Sequence, residues 1–208
     1  MSSLDEYEKK RDFRSTPEPK GGSAEASPDA GKPGATGHFV IHKHDASSLH
    51  YDVRIEADGA LQSWAVPKGP STDPGDKRLA VMTDAHPIEY AGFEGVIPEG
   101  EYGAGTVMVW DTGTYENTTV NDDDEPISIA EGLEAGHVKV RLDGKKLSGG
   151  YALVHTGFRS ESDWLLVKEK DDDADARRNP VSTEPDSVVS GRSLEEIAAE
   201  SGDEDGES

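Results

Sequence analysis

Polar and apolar residues alternate without a break along segment 49–55, LHYDVRI. Successive side chains of a β-strand point to opposite faces, so this pattern predicts a strand with one face in a core. The opposite face would carry His50, Asp52 and Arg54, spaced roughly 6.6–6.8 Å apart. Imidazole and carboxylate groups are metal ligands, and a guanidinium binds phosphate oxygens through two parallel hydrogen bonds. The core face would be formed by Leu49, Tyr51, Val53 and Ile55.

Short strand-like runs continue through most of the chain. Asp58-Gly59 and Asp143-Gly144 are type I′ turn signals, which join neighbouring strands into hairpins. Regular short strands separated by Gly, Pro and Asp turns favour an all-β fold, and we expect a compact closed or nearly closed β-barrel. The remaining runs are residues 39–43, 79–83, 106–111, 137–142, 151–156 and 164–168.

Composition divides the chain into three parts. Residues 1–36 are expected to form an N-terminal arm and a flexible linker, because residues 15–37 are rich in Pro, Gly, Ser and Ala. Residues 37–170 hold the strand-like runs and would form the barrel. Residues 171–208 carry 13 acidic and 3 basic residues, which predicts a disordered acidic tail. A capping-box pattern at Ser193 opens one short helix there, too short to be stable alone.

The 208-residue chain contains no cysteine and has a formal net charge of −22. Without cysteine there is no disulfide, zinc-thiolate site or thiol nucleophile. The charged N-terminus is not a secretory signal, and no run approaches the ~18 apolar residues of a membrane span, so we expect a cytoplasmic protein with no membrane partner. The acidity argues against a nucleic-acid partner unless a small basic site lies inside an acidic shell. High salt would screen such a shell, so we interpret the charge as halophilic.

Two histidines and an aspartate form a candidate metal site. The turn-like segment DASS separates His44 from His50, which allows His44 to fold back beside His50 and Asp52. Two imidazoles and one carboxylate leave coordination positions open, as suits a Mn²⁺-like ion or zinc. A single histidine on a strand face is more often an ordinary solvated residue, but the set together with Arg54 favours a site. His42 is an alternative ligand.

Further cations, in a chain that avoids them, are candidate phosphate ligands. Lys68 stands between a proline and a glycine, a stiff turn that would present its charge, and Arg78 follows in a second basic position. His86 precedes a proline, which favours an extended conformation at a strand exit. There it would donate either a proton or a hydrogen bond to a phosphate.

The ordered run of these motifs resembles the 3′-phosphoesterase module found at the N-terminus of bacterial DNA ligase D and as stand-alone archaeal proteins. The resemblance covers roughly residues 8–170. It implies a compact β-barrel and a Mn²⁺-dependent enzyme that trims 3′-terminal ribonucleotides to a 3′-phosphate and then hydrolyses that phosphate. The matching strings are RDF (11–13), TPEP (16–19), HFVIHKHDA (38–46), LHYDVR (49–54), SWAVPKGP (63–70), KRLAV (77–81), HP (86–87), Tyr90, FEGVIP (93–98), YGAGT (102–106) and VWD (109–111).

The resemblance also implies individual roles, carried over by matching position. The metal ligands would be His44, His50 and Asp52. The groups that hold the scissile phosphate would be Arg54, Lys68, Arg78 and His86. Tyr90 would line the site, and Asp84 stands where this family commonly has glutamate.

The two ends of the chain take their interpretation from the same resemblance. Arg11, Asp12 and Glu18 belong to the family's arm motif, which implies that residues 8–19 fold over the site and bind substrate. The linker would then be confined to residues 20–36. Residues 184–197 resemble the linker that leads into the ligase module of multidomain relatives, so we expect polymerase and ligase to be separate proteins.

We therefore expect a Mn²⁺-dependent phosphoesterase that heals DNA 3′ ends during non-homologous end joining, with Zn²⁺ or Co²⁺ as other ions that the ligands would accept. Its partners would be DNA 3′ ends bearing a terminal ribonucleotide or phosphate, and separate repair enzymes. Two alternatives stay open: a non-catalytic module that binds 3′ ends and recruits repair enzymes, and a cupin-like metal enzyme acting on small molecules. The cupin-like alternative uses His42-x-His44 but gives Arg54, Lys68 and Arg78 no common role.

Overall fold

A single antiparallel sheet of nine strands closes on itself in the computed structural model, which describes residues 4–22 and 24–204. Eight strands form the barrel in the order β1-β2-β3-β4-β9-β8-β7-β6. The barrel is closed because β1 pairs with β6, and β5 extends the sheet from β6. The predicted all-β barrel is thereby confirmed. The strands are β1 (Thr36–Asp45), β2 (Leu49–Ala57), β3 (Ala60–Val66), β4 (Arg78–His86), β5 (Gly95–Ile97), β6 (Gly105–Asn117), β7 (His137–Gly144), β8 (Ser148–His155) and β9 (Asp163–Lys168).

The chain also forms several short helices. They are α1 (Leu4–Lys9), a 3₁₀ helix (Ile88–Gly92), α2 (Ile129–Ala135), α3 (Pro180–Thr183) and α4 (Leu194–Glu204). Of these, α2 has a reciprocal capping box between Ser128 and Glu131 and ends at Gly136, whose φ of 79° favours glycine. Among the described residues, no helix has the length and apolarity needed to cross a bilayer.

The two predicted hairpin turns have different outcomes. Asp58 and Gly59 both have positive φ, 52° and 78°, as a type I′ turn between β2 and β3 requires. The second hairpin forms, but its turn covers residues 144–147 instead of the predicted dipeptide, since Asp143 pairs with Ser148. The carboxylate of Asp111, on β6, accepts hydrogen bonds from three backbone N–H groups of this turn. The longer turn therefore has an acceptor from a neighbouring strand for its backbone donors.

Side chains pack on both sides of the sheet. The barrel interior holds Tyr51, Val53 and Ile55 of the predicted core face of β2, whereas Leu49 at the start of the strand is 46% exposed, contrary to the prediction. Trp64 and Trp110 are among the largest fully buried side chains of this core. A second apolar cluster lies outside the barrel, where Tyr7 of α1 and Tyr90 of the 3₁₀ helix pack on the outer face. The arm and the 3₁₀ helix therefore roof the outer face that carries the predicted polar row of β2.

The linker is ordered in its described residues, contrary to the expected flexibility of residues 20–36; Ser23 lies outside them. Ser27 donates from both its backbone N–H and its hydroxyl to the buried carboxylate of Glu56. The side-chain amide of Asn117 donates to the carbonyl groups of Gly31 and Lys32, each at 3.1 Å. Composition predicted flexibility because these partners come from distant strands, which a local pattern does not show.

The expected disorder of the acidic tail does not hold for residues 171–200, while residues 205–208 lie outside the described part of the chain. Trp110 donates its indole N–H to the carbonyl oxygen of Glu184 at 2.8 Å, and the ammonium of Lys146 donates to the same oxygen at 2.8 Å. Leu194 and Ile197 of α4 belong to the core cluster. Few residues make these contacts, and several of the contacts involve backbone carbonyl groups. The acidic composition of the segment therefore does not predict them.

Replacing Ile197 with alanine is expected to lower the free energy of unfolding by about 2–3 kcal/mol, because its side chain is 2% exposed in the core cluster. Urea unfolding followed by tryptophan fluorescence measures this. Val189→Ala is the control, since Val189 is 63% exposed on the same segment and should change stability by less than about 0.5 kcal/mol. Equal unfolding midpoints for both variants would show that α4 does not contribute to the core.

Candidate metal and phosphate site

A cavity of about 170 Å³ opens on the outer face of strands β1–β4, beneath the N-terminal arm. The strands supply its floor, the arm supplies one wall, and the loop between β5 and β6 supplies another. It brings together most of the residues that the sequence singled out. The charged and aromatic lining residues are Arg11, His44, His50, Asp52, Arg54, Asp84, His86, Tyr90 and Tyr102.

The three predicted metal ligands converge in this cavity. His44 and His50 are directly paired across the β1–β2 hairpin, and their rings lie 4.8 Å apart. Asp52 follows two residues along β2 on the same face, so the ligand atoms of all three lie within 4.8 Å of one another. The turn between the strands is what folds His44 back, as the sequence predicted.

Hydrogen bonds prepare these side chains as ligands. The Nδ1–H of His50 donates to the carbonyl oxygen of Ser48 at 2.9 Å, which orients the ring so that Nε2 lies 3.5 Å from Asp52 Oδ1. Burial opposes ionisation of Asp52, but the Arg54 charge and the two imidazoles outweigh it and hold the pKa of the carboxyl group below its usual range. Two imidazoles beside an ionised carboxylate fit a divalent cation.

Arg54 is the centre of a buried hydrogen-bond network rather than an open phosphate ligand. It is 3% exposed, and its guanidinium donates to Asp52 at 3.0 Å, to Ser63 at 2.9 Å and to His86 at 2.9 Å. Its Nε–H donates to Nδ1 of His42 at 3.2 Å. A guanidinium has five N–H donors, so these four bonds leave one N–H on Nη2 for a ligand in the cavity.

His42 does not join the candidate metal ligands. It is fully buried, and Nδ1 already accepts the hydrogen bond from Arg54. Its ring meets Tyr90 edge to face, with centroids 5.4 Å apart. In this position His42 supports Arg54 from behind, and the alternative metal set that included it has no geometric support.

His86 lies between two guanidinium groups at the base of the cavity. Nδ1 of His86 lies 2.9 Å from Nη1 of Arg54, which can only donate, and 3.0 Å from the backbone carbonyl oxygen of Asp84, which can only accept. Nε2 lies 3.5 Å from Nη2 of Arg11. Burial, and then the charges of Arg54 and Arg11, lower the pKa of His86 well below its usual range. The site therefore holds a neutral imidazole between two guanidinium groups.

The aromatic wall is formed by Tyr90, which is buried. Its ring contacts His86 edge to face at 4.7 Å, and the Arg54 guanidinium lies 4.9 Å from its centroid. Burial raises the pKa of Tyr90 well above its usual value. Its position matches the expectation that it lines the site.

The arm is fixed over the site by a buried ion pair. Arg11 Nε donates to Glu18 Oε1 at 2.9 Å, and its guanidinium stacks on Tyr7, 3.8 Å from the ring centroid. Arg11 thereby reaches the cavity, whereas Glu18 serves as its partner. Asp12 points away, because its carboxylate pairs with Arg14 at 2.9 Å on the exposed side of the arm.

Two groups at the rim link the arm to the barrel. Asp84 lines the cavity, and its carboxylate forms an ion pair with Lys10 of the arm. Tyr102, in the loop between β5 and β6, also lines it, with Lys10 5.0 Å from its ring centroid. Sequence reasoning gave Tyr102, Tyr7 and Ser63 no role. The sequence marks Tyr102 and Ser63 only as members of the matching motifs, and Tyr7 only as a neighbour of the arm motif.

Lys68 and Arg78 do not line the cavity. Asp52, Ala65 and Val81 form one row across β2, β3 and β4, and each of the two cations lies three residues from that row, roughly 10 Å along the strands. Lys68 is exposed, and Arg78 pairs with Asp76 at 2.8 Å. The cations that the structure places at the candidate metal ligands are Arg11 and Arg54.

Comparison with known proteins gives one consistent match for this chain. Residues 42–155 match the family described as the DNA ligase D 3′-phosphoesterase domain. The chain is 50% identical over 194 residues to the multifunctional non-homologous end joining protein LigD of Pseudomonas aeruginosa, covering 92% of this chain and 22% of that protein. It is 46% identical over 153 residues to the LigD repair protein of Mycobacterium tuberculosis, covering 74% of this chain and 18% of that protein.

A third relative, LigD of Mycolicibacterium smegmatis, is 41% identical over 173 residues, which cover 81% of this chain and 21% of that protein. The chain thus spans about a fifth of the length of the curated relatives it matches. The matched segment contains the whole of β2 and the cavity-lining residues from His44 to Gly103. On this evidence the chain belongs to the DNA ligase D 3′-phosphoesterase domain family.

Proposed function

We propose that this protein is a metal-dependent phosphoesterase that acts on DNA 3′ ends in non-homologous end joining, removing a terminal ribonucleotide and then the 3′-phosphate. The observation that carries the proposal is one cavity that combines three convergent ligands with two guanidinium groups and a neutral imidazole. The names of the relatives, all end-joining proteins, support the biological context.

The size and charge of the cavity suit a phosphate group at the end of a strand. Arg11 and Arg54 each direct N–H groups towards it, and both are nearly fixed by their other partners, so little reorganisation is needed when charge develops on the phosphoryl oxygens. A phosphoryl transition state spreads its negative charge over those oxygens, which is the charge these groups would stabilise.

The neutral state of His86 supports a specific role. A ring whose pKa lies well below the usual range carries no extra proton to donate as an acid at neutral pH. We propose that Nε2–H donates a hydrogen bond to a phosphoryl oxygen while Arg54 fixes the ring through Nδ1. For the ribonuclease step, the 2′-OH of the penultimate ribonucleotide would attack the adjacent phosphorus and displace the 5′-oxygen of the terminal nucleoside. Water would then open the resulting 2′,3′-cyclic phosphate to a 3′-phosphate.

His44, His50 and Asp52 would hold the metal ion, and Mn²⁺ is our first choice, with Zn²⁺ and Co²⁺ as alternatives. A divalent ion bound there supplies Lewis-acid polarisation of a phosphoryl oxygen. The chain contributes ligand orientation through Ser48 and charge balance through Arg54.

The deciding experiment uses primer-template DNA that ends in a 3′-phosphate or in two 3′-ribonucleotides. The purified protein is incubated with each DNA in 1 mM Mn²⁺ or in EDTA, at low and high salt, and the products are separated by size. In Mn²⁺ we expect the first DNA to lose its 3′-phosphate and the second to become one nucleotide shorter, with both products ending in a 3′-OH. Binding without conversion would support the recruiting module, and neither binding nor conversion would favour a small-molecule enzyme.

Salt gives a second test, because the net charge of −22 opposes approach of DNA to the cavity. For an ordinary basic DNA-binding protein, affinity falls steeply as salt rises. Here we expect turnover at sub-saturating DNA to be at least maintained between 0.1 and 1 M KCl, since screening shortens the reach of the acidic repulsion to about 3 Å. A steep decline over this range would contradict the proposed role of screening.

A further inference from the structure

An apolar groove of about 390 Å³ lies on the outer face of β4 and β9, outside the candidate metal site. Its floor is the cross-strand pair Leu79 and Leu165. Phe158, in the loop between β8 and β9, stands at its side and is 82% exposed. Full exposure of an aromatic ring is costly, so a ring held there beside two leucines favours an interaction surface.

The groove lies on the same face of the sheet as the candidate metal ligands. The ladder places Asp52, Ala65, Val81 and Asp163 in one row across β2, β3, β4 and β9. Three strand spacings separate Asp52 from Asp163, about 14 Å of backbone arc around the closed barrel. Stacked nucleotides rise about 3.4 Å each, so a strand that enters the cavity by its 3′ end and curves around the outer surface would need at least about four nucleotides to reach the groove.

The charge around the groove is unusual for this chain. Lys77 and Arg159 line it, and within the described part of the chain neither forms an ion pair. The one carboxylate in the lining, Asp163, accepts hydrogen bonds from Ser160 and from the backbone N–H of Arg159, so it fixes the loop. Two cations therefore flank an exposed ring in a chain whose net charge is −22. The Arg159 guanidinium lies 5.9 Å from the Phe158 ring centroid. Burial opposes ionisation of Asp163, but the hydrogen bonds from Arg159 and Ser160, and then the Arg159 charge, lower the pKa of that carboxyl group.

We propose that this groove binds the unpaired DNA strand a few nucleotides before its 3′ end, with one base stacked on Phe158 and backbone phosphates against Lys77 and Arg159. An aromatic platform between cations is how proteins bind single strands without sequence preference. A protein partner would fit the apolar floor but would not account for the two cations beside the ring. The inference rests on the proposed function, because it needs the 3′ end to occupy the cavity.

Binding is measured by fluorescence anisotropy in EDTA, with 5′-labelled single strands of 3 and 12 nucleotides that carry a 3′-phosphate. Phe158→Ala should weaken binding of the 12-mer by about 10-fold, the loss of one stacked base, and leave the 3-mer unchanged. Phe158→Trp should restore the 12-mer. The matched control is Val189→Ala, which removes another exposed apolar side chain, 63% exposed, from a different segment.

The cations have their own readout. Lys77→Gln and Arg159→Gln should each reduce the slope of log affinity against log salt for the 12-mer by about 0.7. Unchanged 12-mer affinity in Phe158→Ala would overturn the proposal and leave the groove to a protein partner. Equal losses for the 3-mer and the 12-mer would also overturn it, because the effect would then lie in the cavity.

The proposed function fails in a different way. If the wild-type protein binds the 12-mer through Phe158 but hydrolyses neither DNA in Mn²⁺, the groove stands and the phosphoesterase proposal falls. If the wild-type protein hydrolyses both DNAs and Phe158→Ala binds limiting 12-mer with the same affinity as the wild type, only the proposal for the groove is rejected. The two results are obtained from the same protein preparations, so folding is common to both.

Discussion

Replacing His50 with alanine is expected to lower Mn²⁺-dependent release of the 3′-phosphate on the order of 10²–10³-fold. His50 is the candidate ligand whose ring is fixed by Ser48, at 2.9 Å, and whose Nε2 lies 3.5 Å from Asp52 Oδ1. Without it, one imidazole and one carboxylate remain, which is too few protein ligands to retain a divalent ion at micromolar concentrations. The loss should therefore appear both in turnover and in Mn²⁺ affinity.

The control is His38→Ala, which removes an exposed histidine from β1, the strand that carries His44. Turnover is measured on the 3′-phosphate primer over a range of Mn²⁺ concentrations, and metal affinity by isothermal titration calorimetry. Partial recovery of His50→Ala at high Mn²⁺ would agree with weakened binding. Turnover within a few-fold of His38→Ala at every Mn²⁺ concentration would reject the assignment of His50 as a ligand.

The candidate ligands were accessible to sequence reasoning because they depend on local geometry. A period of two places His50, Asp52 and Arg54 on one face of β2. A short turn then fixes the register of the hairpin, which pairs His44 with His50. Both steps use residues fewer than ten positions apart, where pattern and turn chemistry determine the structure.

The surroundings of the ligands were not accessible in the same way. Alternation along a strand shows which face a side chain takes but not what covers that face. Here the arm covers it: Arg11 enters the cavity from outside the barrel and Tyr7 packs beside Tyr90. Arg54 was therefore expected to be open to a phosphate, whereas four hydrogen bonds engage it within the protein.

Charge was the least reliable guide to position. Lys68 and Arg78 are conspicuous because cations are scarce in this chain, but scarcity does not locate a side chain, and neither lines the cavity. The acidic tail shows the same limit, since residues such as Lys146 bind its backbone carbonyls, which composition does not reveal. In both cases the contacts that decide the outcome join residues far apart in the chain.

Replacing Arg54 with lysine is expected to lower turnover on the order of 10²-fold and to weaken Mn²⁺ binding by 10–100-fold, although the positive charge is kept. An ammonium cannot donate at once to Asp52, Ser63, His86 and His42, which the guanidinium contacts at 2.9–3.2 Å. The carboxylate of Asp52 would lose the donor that orients it, and His86 would lose the donor that fixes its ring.

Metal affinity separates the two possible roles of Arg54. If Arg54 acts mainly on the phosphate, Arg54→Lys should raise KM and leave Mn²⁺ affinity unchanged; if it positions Asp52, both should change. Arg141→Lys is the matched control, since Arg141 forms an ion pair with Asp173 at 3.2 Å on the exposed surface, where such a pair contributes about 0–1 kcal/mol. Because Arg54 retains one free N–H at the cavity, we expect the change in metal affinity to accompany the loss of turnover, and unaltered Mn²⁺ affinity would return Arg54 to a phosphate-binding role alone.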